Sequence, residues 1–448
     1  MNVTYLGHAA IQIECNGSRI LMDPWLTDPI YLGAWWHYPP LALHVEDLQT
    51  PDYLYISHEH PDHFDPPTLA KIDKNVTLVI ADFANKRFRD RIRALGFRNV
   101  VELPYGQVFR WGAGLELHLI RPDRPWDDSA ILLTDGTTTV LNVNDCHLDE
   151  ATLTALGNRY EIDLAFLTFT GASQYPGCFD LSAEEKTKRW KASKRAHLQE
   201  FANWAKLLGA KRAVPAAGNY ALLAPDQLHL NTSDYVNNPQ EAVERLAEAA
   251  PGVEGLQMNP GDRWSPSEGL QRLHPAPNWS ERIAEIESLS RTKAKEVAAY
   301  FAAEDPAPLD LYDRFREYFE DVLSNDPRIC EQVGIVTWWK VEGPAGGDWT
   351  LDFTRDRNWV SRGAPAQWNL RLQVPDKLVY LGVTDRTAWE NLALSFRIRL
   401  ARQPDRYMEG FWTWFCKFQG RDRMVRSSAG RVVRPSVGAS SPGETALS

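Results

Sequence analysis

Ser57-His58-Glu59-His60-Pro61-Asp62-His63-Phe64-Asp65 constrains this chain more than any other stretch. It places three of the eleven histidines and an aspartate within six positions, directly behind the apolar run Tyr53-Leu54-Tyr55-Ile56. Along a continuous strand, alternation would send His63 to the face opposite His58, His60 and Asp62. A strand that breaks into a turn can aim all four at one centre. Pro61 fixes φ and donates no backbone hydrogen bond, so the segment after Ile56 is expected to be a loop leaving a sheet edge. Imidazole nitrogens and carboxylate oxygens suit zinc, iron or manganese. So many of them in a short span point to two metal ions rather than one.

The 448 residues allow two to three domains, or one large domain with additions, and core burial is not limiting. A formal charge of −10 argues against a general nucleic-acid binder, because backbone phosphates demand a basic face. The start, Met1-Asn2-Val3-Thr4-Tyr5-Leu6, lacks the features of a signal peptide, and no apolar window is long enough to span a bilayer. Five scattered cysteines, Cys15, Cys146, Cys178, Cys330 and Cys416, suit reduced thiols. The expected location is therefore the cytoplasm, with no membrane partner.

Short strands are expected at Thr4–Leu6, Ile11–Glu14 and Arg19–Met22, the last two joined by an Asn16-Gly17 hairpin turn. Pro67 to Ile72 should be helical, Val76–Ile80 a buried strand, and the basic stretch 84–95 an amphipathic helix closed by Gly96. Strands follow near 99–103, 106–111, 115–120, 129–134 and 138–143, with a turn at Asp135-Gly136, and another at Leu164–Phe169. Ser182 and Glu185 form a capping-box pattern for a helix ending at Gly209. The hairpin ending in Asn144-Asp145 puts an acid at the exit of a buried strand, a placement that metal ions would compensate. An Asx turn is the bland alternative. His147 either orients Asp145 or faces water, and the aromatic loop 33–40 is expected to wall a pocket.

His58-x-His60-x-Asp62-His63 resembles the HxHxDH signature of the metallo-β-lactamase superfamily. The resemblance implies an α/β fold, an αββα sandwich with its site at the rim between two sheets. It also implies that His58 and His60 bind one metal, that Asp62 and His63 bind the other, and that Asp145 bridges both. Gly7-His8, the hairpin and Asp23-Pro24-Trp25-Leu26 fit the same pattern, which places His8 near the metals; capping the strand end is its other reading. Asp62 and His8 are the candidate catalytic groups. Asp23-Pro24-Trp25-Leu26-Thr27, Trp35-Trp36, Leu141-Asn142 with Asp145-Cys146, Ala172-Ser173-x-Tyr175-Pro176 and Phe411-Trp412 further resemble the catalytic part of the CMP-N-acetylneuraminate hydroxylase family. That family carries a Rieske iron–sulfur domain, whose paired Cys-x-His elements this sequence lacks, so electrons are expected from an external donor, either another protein or a reductant, or from the substrate itself.

Two ligand positions depart from the superfamily pattern. Before the Asp145 hairpin the sequence reads Arg121-Pro122-Asp123-Arg124-Pro125-Trp126-Asp127-Asp128, and Asp128 is the expected substitute ligand for the first metal; His118 is available but falls in a strand. The last histidine of the pattern is replaced by Ala216, Ala217 and Asn219, which leaves His229 as the nearest candidate for the second metal. More carboxylate and less imidazole favours iron, with zinc or manganese as alternatives, and open positions would admit dioxygen as co-substrate.

The expected organisation is a catalytic domain over 1–265, a helical connector over 266–330, an α+β module resembling a sterol carrier over 331–420, and a disordered tail over 421–448. Helices are expected at 279–303 and 308–324, and strands at Ile335–Trp339, Trp349–Phe353, Asn369–Val374 and Lys377–Leu381. The module is expected to pack or mediate a homodimer, with a substrate-binding wall as its functional reading. Together these readings predict a non-haem di-iron oxygenase acting on a small polar metabolite or natural-product intermediate; the alternative is a dinuclear zinc hydrolase of a phosphodiester, ester or amide.

Overall fold

The computed structural model of the chain describes residues 1–111, 114–124, 126–232 and 234–417, so the expected tail at 421–448 lies outside the described residues. Asn16 and Gly17 both take positive φ, 49° and 84°, and turn Ala10–Cys15 back onto Ser18–Met22 with Cys15 opposite Ser18. That twist matches the right-handed twist of the strands it joins. The hairpin seeds an eight-stranded sheet that continues on one side through Tyr53–Tyr55, Thr77–Ala81 and Asn99–Leu103. On the other side come Asn2–Gly7, Arg263–Ser265 and Gly269–Gln271. Tyr53–Tyr55 is thus an interior strand, and the histidine loop leaves its carboxyl end rather than a sheet edge.

A second, seven-stranded sheet runs Glu254–Gly255, Arg212–Ala216, Leu164–Thr168, Thr139–Asn142, Ala130–Thr134, Leu115–Ile120 and Val108–Trp111. One apolar core joins the sheets, bringing Val3, Ile11 and Leu54 of the first together with Ile131, Val140 and Phe166 of the second. Leu69, Phe88 and Ile92 bring the helices Pro66–Ala70 and Arg87–Ala94 onto the first sheet, and the helices Glu150–Arg159, Ala183–Leu208 and Pro239–Ala249 cover the outer face of the second. This is the expected αββα layering. Ser182 caps the long helix by accepting from the Glu185 amide at 3.2 Å, but the Glu185 carboxylate turns to Arg189 at 3.0 Å, so only half of the expected capping box forms.

The remaining chain builds a separate core around a five-stranded sheet ordered Val360–Arg362, Gly347–Asp352, Val336–Glu342, Leu370–Pro375 and Arg399–Arg402. The expected strand at Lys377–Leu381 is instead part of a helix, Asp376–Val383. Its buried residues Leu378, Val379, Gly382 and Val383 recur at helical spacing, and Gly382 lies so close to the Trp389 ring that a Cβ would sit 2.7 Å from it. The helix Leu311–Asn325, expected in a connector, buries Phe315, Tyr318 and Phe319 in this same core. This C-terminal unit is fixed to the sandwich: Trp35 Nε1 donates to the Leu394 carbonyl at 2.8 Å, Gln227 Nε2 to the Ser395 carbonyl at 2.8 Å, and Phe179 forms a bridge with Leu400. Among the described residues no helix is long and apolar enough to cross a membrane, and no disulfide forms.

Candidate metal centre

After Ile56 the chain folds back on itself, with the amides of His63 and Phe64 both donating to the His60 carbonyl at 3.0 and 2.7 Å. Phe64 is buried edge-on against Phe88, and Asp65 caps the next helix through the Thr68 amide. The turn is thereby pinned at both ends, and its imidazoles point inward. His58 Nε2 and His60 Nδ1 lie 2.8 Å apart, and Asp145 reaches them from the second sheet to form one donor group. His8, Asp62 and His63 form the other, with His8 Nε2 3.0 Å from Asp62 Oδ2. Within each group the donor atoms lie within 4.8 Å of one another.

His63 Nε2 connects the two groups, 3.6 Å from Asp62 Oδ2 and 3.5 Å from Asp145 Oδ2. It is fully buried and has no hydrogen-bond partner. A buried ring nitrogen between two carboxylates, with no hydrogen bond of its own, is compensated either by a proton on the ring or by a cation held among the three groups. The donor set fits a pair of metal ions.

The outward nitrogen of each imidazole is held. His63 Nδ1 faces Asp23 Oδ2 at 3.1 Å, and His58 Nδ1 faces Ser57 Oγ at 3.0 Å and Asp128 Oδ1 at 3.3 Å. His60 Nε2 meets Glu390 Oε2 at 3.0 Å, and His8 Nδ1 the Asn219 carbonyl at 3.2 Å. Such partners fix the ring and its tautomer. Tyr31 donates to Asp62 Oδ1 at 2.6 Å; burial, then Asp62, holds its phenol well above the ordinary range, so it remains a donor. Backbone strain gathers here too: His8, Asp23, Tyr31, Asn144 and Ala217 have φ of 49°, 41°, 46°, 55° and 53°.

The electrostatics of the metal-free cluster follow from this crowding. Burial opposes charge on His60, but Glu390 foremost, with Asp62 and Asp145, lifts it to about 9. Burial likewise opposes charge on His63, and Asp62, Asp145 and Asp23 overcome it, holding the ring well above its ordinary value. Burial penalises both acids as well, yet His63 keeps Asp62 well below the usual carboxylate range and Asp145 below it.

Of the residues expected from sequence, the structure brings together His58, His60, Asp62, His63, Asp145 and His8. His8 does not cap its strand end alone, since its Nε2 takes a donor position in the second group. Asp128 is close but sits on the Nδ1 side of His58, away from the point its Nε2 shares with His60, and so orients that ring instead of joining the donor group. His229 is not at the site: it is exposed on the short helical turn Leu228–Leu230 and does not line the cavity. His118 packs beside Tyr160, and His147 faces Asp123 and Glu200 rather than Asp145.

All the donor residues but His63 line a cavity of about 540 Å³, a size that suits a small molecule. Its walls include Trp35, His197 and Trp204 from the sandwich. Only Trp35 of the aromatic loop lines it; Trp36 and Tyr38 pack with Trp279 and Ile286. The C-terminal unit supplies Glu390, Tyr407, Trp412, Thr413 and Cys416, so it is a wall of the site and not only a packing element. Sequence reasoning missed Tyr31 and Glu390. Asp23 stood in a quoted motif without a role, and nothing local marks Glu390, which lies 330 positions from the imidazole it meets.

A family profile described as a beta-lactamase superfamily domain matches residues 2–160. A Mycobacterium tuberculosis protein named for a Rieske 2Fe-2S iron–sulfur centre is 30% identical over 364 residues, covering 75% of this chain and 69% of its own. Cytidine monophosphate-N-acetylneuraminic acid hydroxylase of Mus musculus is 25% identical over 459 residues, covering 93% of this chain and 73% of its own. Among solved structures, the diiron β-hydroxylase CmlA of Streptomyces venezuelae is 16% identical, with a TM-score of 0.40 over 61% of this chain and 54% of its own. With its paired donor groups at the rim of an αββα sandwich, the chain belongs to the metallo-β-lactamase superfamily, and within it to the family of the mycobacterial protein.

Proposed function

We propose that this protein is a dinuclear metal-dependent oxygenase that hydroxylates a small polar metabolite or natural-product intermediate. The observation that supports the dinuclear part is the buried His63 Nε2, without a hydrogen bond and within 3.6 Å of Asp62 and 3.5 Å of Asp145, at the junction of the two donor groups. His58, His60 and Asp145 would hold one ion, and His8, Asp62 and His63 the other, with Asp145 near enough to both groups to bridge. Kinship with proteins named as hydroxylases supports oxidative chemistry, and so does a donor set with two carboxylates among six groups, which suits iron. When bound, such a pair supplies the activation of dioxygen that side chains cannot provide.

The chain's own groups have defined tasks. Asp23, Asp128, Glu390 and the Asn219 carbonyl aim the imidazoles, and the Tyr31 phenol holds Asp62 by one oxygen and leaves the other toward His8 and His63. Trp35, Trp204 and Trp412 line the cavity and give it apolar walls beside the donor groups.

The test is elemental analysis of protein purified without added metal, followed by oxygen uptake with a reductant. Two irons per chain with oxygen consumption is the expected result. Two zincs with turnover of a generic phosphodiester, and no oxygen uptake after iron loading, would establish a hydrolase instead.

A further inference from the structure

We infer that Glu390 is a positioning residue of the metal centre, through which the C-terminal unit completes the ion site of His58, His60 and Asp145; this rests on the two-ion reading above. Its carboxylate meets His60 Nε2 at 3.0 Å, while His60 Nδ1 faces His58. Glu390 therefore acts on the nitrogen that points away from the ion. By accepting the Nε2 proton it fixes the tautomer that leaves Nδ1 free to ligate, and it raises the basicity of that ring.

The other imidazoles of the centre are aimed by groups of the sandwich itself: Asp128 and Ser57, Asp23, and the Asn219 carbonyl. His60 alone among them is aimed from the C-terminal unit. The His60 and Glu390 side chains are 31% and 19% exposed, a setting in which an ion pair contributes little to folding. The carboxylate is nevertheless rigidly placed. It stands in the first turn of the helix Trp389–Leu394, whose Trp389, Leu392 and Ala393 are buried in the C-terminal core. The end of that helix is tied to the sandwich by Trp35 on the Leu394 carbonyl at 2.8 Å, Gln227 on the Ser395 carbonyl at 2.8 Å and Arg397 on the Leu32 carbonyl at 3.1 Å. The segment holding it, 31–35, also carries Tyr31, which binds Asp62. Seating of the C-terminal unit and the aim of His60 are thus one geometric condition.

The experiment is titration of the chelator-stripped full chain with Co(II) alone, followed by visible absorption, for the unaltered protein and for E390A, E390Q, H60A and D405N. Glu390→Ala should weaken one of two Co(II) equivalents by about 10–100-fold, and it should be the equivalent that His60→Ala abolishes. Glu390→Gln keeps an amide oxygen as acceptor and should restore part of the loss. Asp405→Asn removes an ion pair with Arg189 that also joins the C-terminal unit to the sandwich, between two residues that do not line the metal cavity, and should leave both equivalents intact. Fewer than two equivalents in the unaltered chain would overturn the two-ion reading and this inference with it. Two equivalents there, with unchanged affinities in Glu390→Ala or loss of the equivalent that His60→Ala retains, would overturn this inference alone.

Discussion

His63 is the residue on which the two donor groups depend, because its ring is shared on one side by Asp62 and Asp145 and held on the other by Asp23. Replacing it with alanine should reduce bound metal to one ion per chain and abolish oxygen uptake, as measured by elemental analysis and an oxygen electrode. Asp23 touches no donor position, yet it also accepts from the Ser57 amide at 2.7 Å and its hydroxyl at 2.9 Å. Asp23→Asn should therefore weaken metal binding by about 10–100-fold while the fold persists; unchanged affinity in a chelator competition would remove it from the centre. The protonation states give a third expectation. In the metal-free protein His60, lifted to about 9, carries a proton at neutral pH, and Asp62, Asp145 and Asp23 hold His63 above its ordinary value, whereas Asp62 and Asp145 are themselves pushed below the usual carboxylate range. An ion must displace that proton, so its apparent affinity for the His60 site rises with pH and levels off above about 9. A pH-stat should record acid release on metal addition near neutrality, and a silent trace would show that the imidazoles were neutral beforehand.

At the level of elements, legibility depended on how local the determining physics is. Asn16-Gly17 announced a hairpin because the dipeptide itself supplies the two positive φ values the turn needs. The histidine loop was equally readable, since Pro61 and the spacing exclude a strand. Lys377–Leu381 was not: a short apolar run fits either period, and what decided for a helix was Gly382 accommodating Trp389, a contact made only after folding. That contact predicts the cost of a single methyl group. Gly382→Ala would press against the Trp389 ring and should destabilise the C-terminal core by about 1–3 kcal/mol, measured by denaturant unfolding. Ser182→Ala, which removes the half-formed cap, should cost about 1 kcal/mol.

For the whole molecule, the sequence disclosed the sandwich and the side chains from residues 8 to 145 that come together as two donor groups, whose chemistry is written in residue type and spacing. It put Asp128 among the metal-binding groups, where the structure sets it against His58 Nδ1, and it pointed to His229, which lies away from the cavity, while His8 stands in the second donor group. No local pattern tells which nitrogen of a ring an acid will meet, or which distant strand end will arrive beside it.

The distance along the chain between His60 and Glu390 also has a temporal meaning. During synthesis the histidine turn leaves the ribosome hundreds of residues ahead of the helix that steadies it. The nascent sandwich can close around its core before Glu390 is there to hold the His60 ring, so on the two-ion reading full-strength loading of both ions would wait for the last third of the polypeptide. On that reading, the order of translation would keep the centre from being completed before the walls that enclose it exist.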